Sequence, residues 1–478
     1  MSGDVFWAIS PLDHRYRASD PALFAALSDY LSENAYIKYE ARVEAALAAG
    51  LARRGICSAE IAEQIARACA AVDPAAVYAE EQRTHHNIRA LVNVIQRQLP
   101  EAAKPFVHLS ATSVDIMDTA RALQYRDVTE ALVLPELAGL LEVWTTLAAR
   151  EADTLQVGRT HGQFAVPITF GFAVAEYVDR LGGRLVKLAL AAGDLRGKMA
   201  GAVGAYNASS LFFADAAAFE REVLAELGLK PGGHSTQIVE PEYIVDYAHA
   251  LISTFGVLAN FADDIRHLQR SEIGEVAEAF EKGQVGSSTM PHKRNPWNFE
   301  HVKSMWKVFA PRMLTLYMDQ ISEHQRDLTN SASGRFIPEI VAGLVEATHR
   351  LRRVSSRLVV DTERMAKHVA EGREWVVAEP LYILLAAAGH PDAHEAVRKL
   401  TLEAQSSGVP VRTLAENDAG LAPYLELLSP NQRAIIQDPD QYAGQAAARA
   451  REIARTWREW LEATPYAARL QHTKEAHP

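Results

Sequence analysis

The stretch PEYIVDYAHALISTFGVLANFADDIRHLQ, residues 241–269, decides the fold class. Its apolar and small residues fall at Ile244, Ala248, Leu251, Phe255, Leu258, Ala262 and Ile265, in steps that alternate four and three. That spacing puts all seven on one stripe of an α-helix, a heptad seam sustained over three repeats. Pro241 suits the first helical position, where a missing N–H costs nothing. The pattern predicts a helix from Pro241 toward Phe280. At about 1.5 Å per residue it spans on the order of 50 Å, too long to bury its stripe in a small domain, so it needs long antiparallel neighbours. Candidates are a helix from Thr112–Asp115 to Arg150 with a kink or break at Pro135, one from Pro167 to Ala202, one between Asn298 and Asp327, and one from Asn330 to Thr362 interrupted by Pro338.

Working outward, the chain of 478 residues reads as an all-α protein of three helical domains: residues 1–110, a central long-helix bundle over 111–364, and 365–478. About 80 residues are alanine, a strong helix former, and runs of alternating Val, Ile and Thr are scarce, leaving little material for a sheet. Beyond residue 365 the predicted helices shorten, broken by Gly389, Pro391, Pro410, Pro423 and Pro430.

Composition narrows the function classes. With 48% hydrophobic and 23% charged residues the chain is an ordinary globular one. A net charge of −11 argues against a nucleic-acid or anionic-membrane partner, both of which are read with clustered Lys and Arg. An anionic substrate would therefore need a local positive island. The two cysteines, Cys57 and Cys69, point to a reducing compartment. The N-terminus lacks a basic, then apolar, leader pattern, and no charge-free apolar run reaches about 18 residues. The expectation is a cytoplasmic protein without a membrane span. His85 and His86 have no companions at metal-ligand spacing, so neither a metal nor another cofactor is expected.

The most informative loop is GSSTMPHKRNPWNFE, residues 286–300. Glycine and paired serines before a proline make a specially shaped interhelical loop. Its backbone N–H groups and Lys293 suit the stabilisation of an oxyanion. This loop resembles the signature loop of the fumarase/aspartase superfamily, whose members eliminate fumarate from succinyl compounds. The resemblance implies Ser287 as general base, with Lys293 and Asn295 on a substrate carboxylate. Proton loss α to a carboxylate builds a doubly charged aci-carboxylate, which cations and N–H donors must stabilise. Arg159-Thr160-His161-Gly162-Gln163 resembles the superfamily's Thr-His-x-Gln block, implying His161 as general acid, oriented by Glu300. Ala111–Thr119, ATSVDIMDT, resembles its substrate loop; locally it is an N-cap cluster, and the resemblance implies carboxylate contacts from Thr112 and Ser113. In this superfamily the blocks come from different subunits of a homotetramer.

Three further features resemble the adenylosuccinate lyase branch. Ser10–Tyr16, SPLDHRY, implies that Arg15 and Tyr16 hold a nucleotide phosphate. Arg326–Arg335, RDLTNSASGR, implies a second clamp from Arg326, Ser331 and Arg335, and an arginine fork with a hydroxyl is sound phosphate chemistry. His234-Ser235-Thr236-Gln237 places Gln237 against the succinyl group. One departure stands out: where this branch carries His-Asp, the chain has His86-Asn87, which removes a carboxylate from the substrate contacts and leaves His86 as a contact or auxiliary acid. The implied activity is cofactor-free β-elimination of fumarate from adenylosuccinate and from the succinylcarboxamide ribotide of purine synthesis. Two alternatives stay open: a 3-carboxymuconate cycloisomerase, which shares the signature loop but needs no phosphate clamp, and a non-catalytic helical scaffold.

Overall fold

A computed structural model describes residues 7–280, 283, 286 and 288–465. Helices dominate, and among the described residues strands are confined to three two-stranded pairs. Packing divides the chain into two units, each discontinuous in sequence. The first holds residues 1–137, 183–256 and 304–349, and the second holds 138–182, 257–303 and 350–478. Five helices, Leu134–Arg150, Phe170–Gly193, Glu242–Leu268, Trp297–Phe309 and Ile337–Ser355, contribute residues to both.

The seam forms the helix Glu242–Leu268. Ala248, Leu251, Phe255, Leu258, Ala262 and Ile265 are buried, and Ile244 is half-buried. Within the first unit Tyr247 stacks on Tyr125 with ring centroids 5.9 Å apart, and Phe255 on Phe309 at 6.0 Å. Within the second, Phe261 stacks on the buried Trp144 at 4.1 Å and meets Tyr177 edge-on at 5.3 Å. Each such pair adds roughly 0.5–1.5 kcal/mol beyond its buried area. In this unit the helix Phe170–Gly193 runs antiparallel to the seam, since Tyr177 donates to Asp264 and Arg180, further along, to Asn260. The predicted antiparallel neighbour is therefore present. A smaller core in the second unit gathers Leu381, Leu385, Val397, Leu400 and Val411.

Four boundaries differ from expectation, each for a local reason. The seam helix stops at Leu268, not near Phe280: its apolar stripe ends at Ile265, and Gly274 at φ +65° turns the chain into a short strand, Val276–Ala277, paired with Val359–Val360. At Pro135 the chain does not break. The helices Ser113–Val128 and Leu134–Arg150 are joined by one π-helical turn, Thr129–Val133, whose wider pitch accommodates the missing N–H. Pro311 splits the 298–327 segment into Trp297–Phe309 and Arg312–Met318, whereas Pro338 sits harmlessly in the first turn of Ile337–Ser355. The fourth difference is a hairpin: Leu155–Thr160 pairs antiparallel with Gln163–Thr169, so Pro167 lies in a strand and the next helix runs Phe170–Gly193. Two segments, Ser113–Arg150 and Glu242–Leu268, have the length and apolar character of a membrane span, but most of each apolar window is buried inside the protein.

Candidate active site

The second unit carries the candidate general acid His161 and its candidate partner Glu300. His161 and Gly162 form the two-residue turn of the hairpin, with φ +54° and +73°, the conformation a tight type I′ hairpin needs. Gly162 supplies that φ without strain, and the turn leaves His161 exposed at the tip. Below the tip, Arg159 donates two bonds to the fully buried Glu275, at 2.6 and 3.1 Å. Glu275 also accepts from Gln156 (2.7 Å) and lies 2.7 Å from His368 Nδ1. Burial alone would raise its carboxyl pKa, but the bonds from Arg159, Gln156 and His368 outweigh burial and hold it below the ordinary value.

The signature loop is stapled at its base. Glu278 accepts from the amides of Asn298 (2.9 Å) and Phe299 (3.2 Å) and from the Asn298 side chain (2.7 Å), placing a carboxylate at the N-terminus of the helix Trp297–Phe309. Burial pushes the Glu278 carboxyl up from its ordinary value despite these donors. Within the loop, Asn295 Nδ2 donates to the Gly286 carbonyl at 3.1 Å, and Lys293 is exposed. Glu300 lies exposed in the helix's first turn. Ser287 lies outside the described residues.

The first unit holds most of the candidate substrate-binding groups, several of them around the helix Ser113–Val128. Its N-terminus, a natural anion site, begins at Thr112–Ser113. The Thr112 amide donates to Asp115 (2.8 Å), and Asp115 forms a wholly buried ion pair with Lys198. Next to it, His86 caps the helix Asn87–Arg97: its Nδ1 accepts from the Arg89 amide at 3.2 Å. The proton of the neutral ring therefore sits on Nε2, on an exposed side chain able to donate. Asn87 reaches Met117 Sδ at 3.6 Å, which ties the His86–Asn87 corner to the same helix. One residue on, Asp118 accepts from the Val239 amide (3.0 Å), and the Gln237 amide donates to the Gln325 carbonyl (3.2 Å). Gln237 and Arg326 are thereby brought to one place.

Arg326 is unusual among the described residues. Its backbone stands at φ +121°, and while Nη1 donates to the Asp319 carbonyl (3.3 Å), Nε and Nη2 are buried without a partner. Buried unsatisfied donors of a guanidinium are costly. An anion is the natural acceptor for them. A cavity of about 90 Å³ lies nearby, lined by Asp118, Arg121, Glu240, Asp319 and Asn330 rather than by Gln237, Arg326 or Arg335.

A family model described as lyase matches residues 14–308, and one described as adenylosuccinate lyase C-terminal matches residues 322–420. An adenylosuccinate lyase of Pyrococcus horikoshii is 34% identical over 462 residues, covering 95% of this chain and 98% of its own length. One of Archaeoglobus fulgidus is 32% identical over 460 residues, covering 95% and 100%. The chain belongs to the adenylosuccinate lyase family. Its fold is that of the fumarase/aspartase superfamily. A 3-carboxy-cis,cis-muconate lactonizing enzyme from Pseudomonas putida superposes with a TM-score of 0.77 at 25% identity, over 92% of this chain and 98% of that one. A fumarate lyase from Mesorhizobium sp. BNC1 shares the fold with a TM-score of 0.77 at 23% identity, over 90% and 97%.

Membership of the adenylosuccinate lyase family sharpens what one chain does and does not assemble. The helix Ser113–Val128 links His86, Asn87, Thr112, Ser113, Gln237 and Arg326, but Ser331 and Arg335 are exposed on the 328–336 segment. Arg15 and Tyr16 lie in a single turn, Leu12–Tyr16, held through Asp20, whose carboxylate is 3.1 Å from His349 Nε2. Among the described residues, His161 and Glu300 share no hydrogen bond or ion pair. No group of three or more His, Cys, Asp and Glu among the described residues is placed to hold a metal ion. Sequence reading missed Lys198, Glu275 and His368, whose ion-pair partners are 83 to 116 residues away along the chain. No short motif marks such pairs.

Proposed function

We propose that the chain cleaves adenylosuccinate to AMP and fumarate, and the succinylcarboxamide ribotide of purine synthesis in the same way, without a cofactor. Ser287 removes the proton α to a carboxylate, the C–N bond breaks with its electron pair leaving on nitrogen, and His161 supplies the proton to that nitrogen. Glu300 orients His161, and His86 serves as a contact or auxiliary acid. Lys293, Asn295, Thr112, Ser113 and Gln237 hold the carboxylates, with Asn87 beside them. Arg15, Tyr16, Arg326, Ser331 and Arg335 hold the 5′-phosphate. The observation that carries this reading is Arg326: a lyase-family chain keeps two guanidinium donors buried and unpartnered at the position of a phosphate clamp.

That His161 and Glu300 share no hydrogen bond or ion pair within one chain supports a homotetramer in which other copies complete each site. Two free thiols support a cytoplasmic location. Three folding units, 1–110, 111–364 and 365–478, remain part of the proposal and are checked by limited proteolysis. The test of function is turnover of adenylosuccinate, followed by purine absorbance, with the dephosphorylated substrate as control. Equal rates for both would refute the clamp, and Ser287→Ala at near wild-type rate would refute the base. The likeness to a muconate lactonizing enzyme favours a second reading, lactonization of a carboxymuconate, which the same preparation tests directly. Mixing Ser287→Ala and His161→Ala chains checks assembly: restored turnover requires that one site draw on different copies.

A further inference from the structure

The residues beyond 361 contain none of the groups assigned above, yet one of their side chains reaches the root of both loops of the second unit. Glu275 lies between them. Through Arg159 and Gln156 it grips the hairpin whose tip is His161. Through the chain itself it precedes the strand Val276–Ala277, which leads within three residues to Glu278 and the stapled base of the signature loop. The third side of this node is the helix Thr362–Val376. His368 of that helix, nearly buried, brings Nδ1 to 2.7 Å from Glu275 Oε1. The Asp361 amide donates to the Glu275 carbonyl (2.9 Å), and Arg364 donates to the carbonyls of Ile273 (2.9 Å) and Glu272 (3.2 Å).

The same helix supports the hairpin by close packing. A Cβ added at Gly372 would come within 3.3 Å of the Phe164 ring, and Phe164 in turn lies under the Arg159 guanidinium at 5.2 Å. One helix therefore fixes the hairpin twice, by a buried charge network at His368 and by contact at Gly372. A two-residue turn at a hairpin tip has no packing of its own to define its place, so its position is inherited from the base. Small displacements of a reacting group are costly: a misplacement of about 1 Å costs up to about a hundredfold in rate.

We propose that Glu275 and His368 are positioning residues, which lock the hairpin and the root of the signature loop to the helix Thr362–Val376 and so set the place of His161. This rests on the reading of His161 as the general acid. In the full-length protein, His368→Ala should lower kcat on adenylosuccinate by about tenfold or more with KM within about twofold, because the hairpin carries none of the substrate-binding groups and the loop with Lys293 and Asn295 keeps its own staple at Glu278. His368→Gln, whose amide is still a donor toward Glu275, should recover most of that loss. A folded His368→Ala with kcat within about twofold of wild type, or with KM raised as much as kcat is lowered, overturns the proposal. If His368→Ala does not fold, Gly372→Val serves in its place, since it crowds Phe164 at the hairpin while keeping every hydrogen-bonding group of the network, and the same kcat loss is expected. Hydrogen exchange of the 156–168 amides needs no substrate. It should quicken in the variant, and unchanged exchange overturns the proposal even if the wild-type chain fails to turn over adenylosuccinate, an outcome that would instead sink the functional reading.

Discussion

Each unit anchors a functional loop on a buried ion pair, but the two anchors are built differently. In the first unit Asp115 and Lys198 are both sealed from solvent. Asp115 also accepts from the Thr112 and Gly201 amides, Lys198 donates to the Gly201 carbonyl (3.1 Å), and Thr119 bonds the Lys198 backbone. In the second, only Glu275 is sealed; Arg159 retains 16% of its side-chain exposure, and a histidine completes the set. A closed pair sets the shape of the interior around it, and losing one partner strands a charge with nowhere to go. An anchor open on one side lets water reach the survivor. The closed anchor should therefore govern stability and the open one the geometry of its loop.

Removing one carboxylate gives the largest effect. Asp115→Ala leaves Lys198 buried and unpaired, which should cost about 3–5 kcal/mol, read as a lowered urea midpoint. Asp115→Ala with Lys198→Met should recover much of that loss, because an apolar pair has no charge to strand. If the double variant is as unstable as the single one, the loss comes from packing and the contrast between the anchors fails.

The first unit also holds a buried carboxyl group to which, among the described residues, no cation is bonded. Glu40 is buried, its Oε1 is without a partner, and burial pushes its pKa from 4.5 up to about 8, against the pull of Arg121. The folded protein therefore keeps Glu40 protonated while the unfolded chain ionises it. Its contribution to stability is full below pH about 4.5, falls as pH rises toward 8, and is lost above. Glu40→Gln stays neutral in both states. Its advantage over wild type should open between pH 5 and 8 and level off above. It should reach a few kcal/mol, at about 1.4 kcal/mol for each pH unit separating the folded from the unfolded pKa. A stability difference that does not change with pH would show that Glu40 does not titrate in this way.

How much of this was legible in the sequence divides along the same line. The seam from Ile244 to Ile265 announced a helical bundle because helical periodicity is local and repeats. Candidate site residues could be nominated because short blocks carry the resemblance. Pro135 and Pro338 misled because proline's effect depends on where in a helix it falls and on whether a π turn is available. The hairpin Leu155–Thr169 escaped because its strands are irregular, with a register shift between Val157 and Arg159 and a proline in the second strand. Neither anchor was visible, since Asp115–Lys198 and Glu275–His368 join positions far apart in the chain, and a lone Lys or Glu looks the same in sequence whether solvated or sealed.

The smallest effect on stability should come from the open anchor, where the loss appears instead in the loop. Arg159→Lys keeps the positive charge but cannot make both bonds that the guanidinium fork gives Glu275. It also removes the flat cation over Phe164. Arg159 is partly open to water, so a lysine in its place can turn its ammonium outward and stay solvated. The stability cost should be about 1 kcal/mol, one charge-assisted hydrogen bond or less. Glu275 keeps Gln156 and His368, so the interior is not left with a bare carboxylate. What changes is how firmly the end of the strand at Thr160 is held, and with it the direction of His161. Activity should therefore fall further than stability, the reverse of the Asp115 case. An Arg159→Lys protein that loses several kcal/mol would mean that this anchor, too, is structural in the manner of Asp115–Lys198.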